Sequence, residues 1–231
     1  GSSGHLGGGL LLALLLGPWP ALVVMASVLT VQALFFADGG LLALGANIFN
    51  LAVLPCLVVL PQVYRPLAGL APSTRRLCAA VMLSAIAGLL LGATGVVLQT
   101  VASGISSLPL QAFAWLMLPI HAAIGVVEGL ATLALVLFLR RHRPDLLQAA
   151  PVVPERALRP ALLGWALAAA LLGGVGSWFA STAPDGLEWS VQRATGGQEL
   201  AAPAAGPHAW LARWQQRTAL LPDYDLPAPH P

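Results

Sequence analysis

The chain alternates long apolar blocks with short polar breaks. No Asp, Glu, Lys or Arg occurs from Gly1 to Ala37, or again from Leu77 to Val127. Uncharged apolar stretches longer than about 18 residues have the length of bilayer spans. Six hydrophobic segments are read from the pattern: about Leu6 to Leu16, Pro20 to Phe36, Leu41 to Leu60, Leu77 to Ala102, Leu110 to Leu139, and Pro160 to Ala180. The first two are short. The "GPWP" at Gly17 to Pro20 must break any continuous helix, because proline lacks the amide and clashes with the preceding turn. The fourth segment would be about 39 Å long at 1.5 Å per residue, enough to cross a core of about 30 Å with some tilt.

Composition supports the same solvent assignment. Of the residues, 58% are hydrophobic and 9% charged, against about 25% charged in an ordinary soluble domain. The expected fold class is all-α, a polytopic helical membrane protein. The chain begins at glycine, not methionine, and is therefore expected to be processed or incomplete at that end; "GSSG" resembles a cloning scar.

The net charge of +2 comes from 11 arginines and no lysine. Arg65, Arg75 and Arg76 lie between segments three and four, and Arg140, Arg141, Arg143, Arg156 and Arg159 between five and six. The positive-inside rule makes both loops cytoplasmic, and the arginines report orientation, not nucleic-acid binding. "ADGG" at Ala37 to Gly40 and "SGISSLPL" at Ser103 to Leu110 then face outward. By the same count His5 and residues 181–231 lie outside. That tail carries Asp185, Glu188, Glu199, Asp223 and Asp225 among Pro/Ala/Gly-rich spacers, so a loop-rich extracytoplasmic segment is expected. Cys56 and Cys78 lack CxxC spacing and read as packed small residues.

Few polar side chains interrupt the membrane segments: Gln32, Asn47, Asn50, Gln99, His121 and Glu128. Asn47 and Asn50 share a helix face, as do His121 and Glu128. An intramembrane Glu128 is a functional candidate by default, or else a structural acid paired with His121 or a neighbouring helix. The asparagines suit interhelical hydrogen bonds, with ligand contact as the alternative. Gly88/Gly92 and Gly125/Gly129 each repeat at four residues and predict close helix approach, within the chain or against another membrane subunit.

Enzyme signatures are absent: HExxH, GxSxG, CxxC, a phosphate loop and a dinucleotide fingerprint do not occur. Active transport would need energy from a partner or an ion gradient. Three other classes remain: a secondary transporter or channel using His121 and Glu128 as a proton relay, an intramembrane hydrolase using Ser84, Ser103 or Ser106 with His121, and a structural membrane anchor.

Taken together, "SGHLGGGLLLALLLGPWPALVV", "VQALFFADGGLLALGANIFN" and "HAAIGVVEGL" resemble the cobalt/nickel-specific substrate-capture (M) subunit of energy-coupling-factor importers. "PDGLEW" at Pro184 to Trp189 and "LPDYDLP" from Leu221 resemble its small N subunit, here fused. The resemblance implies three parts: residues 1–143 as the membrane substrate-capture domain, 144–159 as a cytoplasmic linker, and 160–231 as one transmembrane helix plus the outer tail. It implies an inner (cytoplasmic) membrane protein, non-catalytic itself, that captures Ni²⁺ or Co²⁺ at the outer face. A transmembrane coupling (T) subunit and cytoplasmic ATP-binding subunits would drive uptake. No resident cofactor is implied; the metal is cargo.

In that family a Met-His N-terminus supplies the amine, an amide nitrogen and an imidazole, and a later histidine completes the set. His5 matches the later histidine; the Met-His stretch is missing, as is a final helix after "LPDYDLP", so a fragment truncated at both ends is expected. Ser3, Asn47 and Asn50 are candidates for site support, His121 and Glu128 for an intramembrane polar pair, and Asp185, Glu188, Asp223 and Tyr224 for the accessory segment. A planar all-nitrogen set suits Ni²⁺ better than Co²⁺.

Overall fold

The computed structural model describes residues 6–38, 40–103, 109–147, 186–196 and 206–219, together with 163, 164 and 167. The described chain is helical: α1 (Gly9–Leu16), α2 (Pro18–Phe35), α3 (Leu44–Ile48), a π-helical run (Phe49–Tyr64), α4 (Arg65–Ala68), α5 (Thr74–Ser103), α6 (Leu110–His142), α7 (Gly186–Ala194) and α8 (Pro207–Thr218). Four helical stretches are long and apolar enough to cross a membrane: Pro18–Phe35, Leu44–Ala68, Thr74–Ser103 and Leu110–His142. They correspond to predicted segments two to five. The sixth segment falls largely outside the described residues.

The first predicted segment differs from a span. Its eight helical residues rise only about 12 Å at 1.5 Å each, less than half the core of a bilayer. Gly17, at φ 83°, ends α1, and Pro18 opens α2 at a position where its missing amide costs no hydrogen bond. The break at "GPWP" is thus a hinge that turns the chain back on itself. Leu10, Ala13, Ala21, Cys56, Val59, Leu60 and Ala85 pack into one core beside it.

Two antiparallel seams hold the bundle. On α6, a Cβ at Gly125 would stand 2.9 Å from the backbone of Ile86, and one at Gly129 would stand 2.9 Å from Met82 Sδ, so these glycines set the α5–α6 approach. On α5, Gly88 faces Val59 and Gly92 faces the carbonyl of Asn50, which joins α5 to the Leu44–Ala68 helix. Both small-residue pairs are used inside the chain.

Pro55 and Pro61 lie within the π-helical run and donate no backbone hydrogen bond. The wider winding accommodates their rings, and such windings recur at functional sites. Gly9 packs closely here: a Cβ at that position would meet the Leu51 carbonyl at 2.8 Å and the Pro55 ring at 2.7 Å.

The two ends of the bundle differ in chemistry. At one, Arg76 donates to the carbonyls of Pro66 and Leu67, and Arg140 to that of Pro72. At the other, α7 and α8 pack on the ends of the spans. Of the tail expected to be loop-rich, residues 186–196 and 206–219 are described and hold these two helices; the rest of it lies outside the described residues. In α7, Leu187, Ser190, Val191 and Ala194 follow helical spacing on one face. The segment is too short and polar to stand out as a hydrophobic block, and composition alone reads it as loop.

Candidate functional site

The four helices Gly9–Leu16, Leu44–Ala68, α5 and α6 enclose a cavity of about 40 Å³, lined among others by Gly7, Asn47, Asn50, Ser84, His121 and Glu128. Apolar side chains form the rest of its wall. Leu187 of α7 reaches it from the end opposite the arginines, packed with Phe113, Met117, Ala93 and Val97.

Glu128 is 5% exposed, and its Oε2 accepts a 2.8 Å hydrogen bond from the backbone amide of Gly7. It lies 18 residues along α6 from Leu110, about 27 Å, which is near the middle of that helix. It is the one acidic residue among the described membrane-spanning helices. A carboxylate at such depth is stabilised only by hydrogen bonds or a cation.

His121 is buried as well, one level nearer Leu110, and its Nδ1 lies 2.8 Å from the Met117 carbonyl. Because a carbonyl only accepts, Nδ1 carries the proton, and a neutral ring then presents Nε2 as the acceptor. The seven-residue spacing puts His121 and Glu128 about 10.5 Å apart along the axis, at two levels of one cavity.

Asn50 Nδ2 donates to Gln99 Oε1 at 2.7 Å, the interhelical bond expected of such an asparagine. Its Oδ1, and the hydroxyl of Ser84, find no hydrogen-bond partner among the described residues although both are buried. Both residues line the cavity, whose wall is otherwise mostly apolar, and its volume is enough for a water-sized ligand. Among the described residues Ser84 thus has no base on its hydroxyl and Ser103 donates to the Thr100 carbonyl, while Ser106, the third serine of the hydrolase reading, lies outside them. Asn47 is half-buried on the same wall.

Of the other predicted site residues, Glu188 is exposed on α7, one position from Leu187. Ser3, His5, Asp185, Asp223 and Tyr224 lie outside the described residues. Gly7, two residues after His5 in sequence, is not at an outer lip but at the depth of Glu128. Among the described residues no group of three or more His, Cys, Asp or Glu is placed to hold a metal ion. The sequence reading missed Gly7 as a partner of Glu128, Ser84 as a cavity residue and Leu187 as its cap. The run "GGG" before an apolar block was the one available signal for the first.

Residues 1–146 match the family described as the cobalt uptake substrate-specific transmembrane region, and residues 159–231 match the PDGLE domain. The chain belongs to that cobalt uptake family. It is 34% identical to the fused nickel transport protein NikMN of Rhodobacter capsulatus, across 97% of this chain and 70% of that one. The cobalt transport protein CbiM of Geobacter sulfurreducens is 33% identical, across 74% of this chain and 52% of its own. A relative from Archaeoglobus fulgidus is 34% identical, across 74% of this chain and 54% of its own. The chain thus spans between about half and 70% of the length of these relatives. No solved structure matches it. Family, fold and composition together make this a multi-pass membrane protein of the cobalt uptake family that carries a PDGLE segment.

Proposed function

We propose that the protein captures Ni²⁺ or Co²⁺ from the extracytoplasmic side of the cell membrane for uptake driven by a coupling subunit and ATP-binding subunits. His5 supplies an imidazole nitrogen. The observation that carries this reading is the Gly7–Glu128 hydrogen bond. It ties the chain two residues after His5 to a buried carboxylate on the wall of the cavity. A dication whose nitrogen donors neutralise only part of its charge is stabilised by a nearby negative charge in a medium that screens little, and Glu128 is suited to provide it.

In this reading residues 1–143 form the capture domain, 144–159 a cytoplasmic linker, and 160–231 an accessory unit whose α7 caps the cavity. The chain itself performs no catalysis. Asn47, Asn50 and Ser3 support the site, and nickel is the preferred cargo because planar nitrogen donors and the Irving–Williams order both favour it.

The test is isothermal titration with Ni²⁺ in detergent at about pH 7.5, above the histidine reference pKa of about 6.5, on a protein carrying the Met-His stretch. His5→Ala is expected to abolish high-affinity binding, and His142→Ala, at the arginine end, to leave it unchanged. Binding is also expected to weaken as pH falls through the histidine range, because the protonated ring has no lone pair for the metal. Equal affinity for the parent and His5→Ala proteins would overturn the assignment. Uptake that persists without ATP-binding partners would instead favour a secondary transporter.

A further inference from the structure

Helix α8 leaves most of its circumference uncovered. Gln215 is its anchor: Nε2 donates to the Ala33 carbonyl at 3.0 Å, and Oε1 accepts the Leu41 amide at 3.2 Å. These contacts fasten α8 to the last turn of α2 and the loop after it. Trp210 and Trp214, one helical turn apart, are 59% and 44% exposed, and Arg213 and Arg217 beside them are exposed too. At 3.6 residues per turn the tryptophans lie about 100° to 140° round the helix from Gln215, and the arginines form an adjoining stripe.

Large exposed aromatic rings next to cations call for a partner that is apolar on one side and anionic on the other. The neighbouring surface says which one. Val31, Leu34 and Phe35 of α2 are exposed and belong to a membrane-spanning helix, so they face lipid. The Gln215 anchor is the carbonyl of Ala33 in the last turn of the same helix, on its buried side. Helix α8 therefore sits where the lipid-facing surface of α2 ends, at the depth where tryptophan is enriched and amphipathic helices lie flat.

We propose that α8 is an interfacial helix: Trp210 and Trp214 seat it in the headgroup layer at the end opposite the arginine loops, and Arg213 and Arg217 bind anionic lipid headgroups. The seat restrains the PDGLE segment against the bundle in addition to the Gln215 contacts. The inference does not depend on the metal reading.

The test uses the whole chain in vesicles of phosphatidylcholine and phosphatidylglycerol, with Cys56 and Cys78 replaced by alanine. A spin label is placed through Trp214→Cys or, on the other flank of α8, Ala212→Cys, with unchanged gel-filtration elution as the folding check. Collision rates with oxygen and with chromium oxalate report depth. The oxygen-to-oxalate ratio is expected to be several-fold higher at 214 than at 212. It should fall when phosphatidylglycerol is omitted, or when Arg213 and Arg217 are changed to glutamine. Equal ratios at the two positions would overturn the seating. A label at 214 shielded from both reagents would show a protein partner in place of lipid and overturn it as well. Indifference to both phosphatidylglycerol and the arginine changes would overturn the headgroup contact.

Discussion

The arginine end and the α7 end of the bundle are built to opposite plans. At the arginine end a cleft of about 630 Å³ opens between the α1–α2 hinge, Tyr64, Arg65, Leu77, Val136 and Arg140. At the other end the central cavity is only about 40 Å³, and Leu187 closes over it among Phe113, Met117 and Val97. The short α1 explains part of the contrast. It occupies only the half of the bundle toward the arginines, and next to its N-terminus Gly7 and the cavity lie against Glu128. The lesson is that a bundle with one half-length helix leaves a buried cavity at its middle, and that α7 covers that cavity on the end away from the arginines.

The largest effect should come from the floor of the closed end. Glu128→Ala removes both the acceptor for the Gly7 amide and the negative charge. Hydrogen bonds to charged groups contribute about 1.5–3 kcal/mol, so nickel affinity should fall about 10- to 100-fold. Arg140→Gln at the open end should leave it unchanged; calorimetry on both variants makes the comparison. Similar losses in the two would erase the distinction between the ends.

A smaller, kinetic effect is expected from removing the cover. Deleting Ala183 to Pro231 should slow metal uptake several-fold at limiting metal while the α1–α6 core stays folded, since its main packing lies within residues 6–147. Uptake at the parent rate would remove the accessory role. Leu187→Ala should act more locally. With Ser84→Cys as reporter in a Cys56/Cys78-free protein, maleimide should react faster once the Leu187 side chain is gone, whereas Leu70→Ala, fully exposed near the arginines, should change nothing. A reporter that stays inert would mean that the cap is made by other residues.

The mildest experiment leaves the protein's chemistry alone. Single cysteines at Asp38 and Asp185 should label from outside the cell, and those at Arg75 and Arg143 should not. Labelling of position 143 but not 185 would invert the assignment of the two ends.

Much of this architecture was legible along the chain because a bilayer imposes one dominant constraint. Uncharged blocks of span length and loops rich in arginine have to appear in the sequence itself, and they located four spans and the two ends. "GPWP" likewise announced its hinge locally, through a missing amide and a glycine at positive φ. The resemblance to the cobalt uptake family was likewise legible in local strings such as "GANIFN" and "HAAIGVVEG".

What periodicity could not reveal was depth and partnership. That α1 is a half-span follows from Gly9 pressing on Leu51 and Pro55; that Glu128 faces Gly7, 121 residues away, follows from the way α1 and α6 are brought together. Helix α7 within the tail was not legible because its apolar stripe is only Leu187, Val191 and Ala194, invisible until Phe113 and Met117 supply its other half. Each of these features depends on contacts between segments distant in sequence. Hydrophobicity determines which stretches leave water, but only the packing of glycines against carbonyls and of polar atoms against one another decides which of their groups meet.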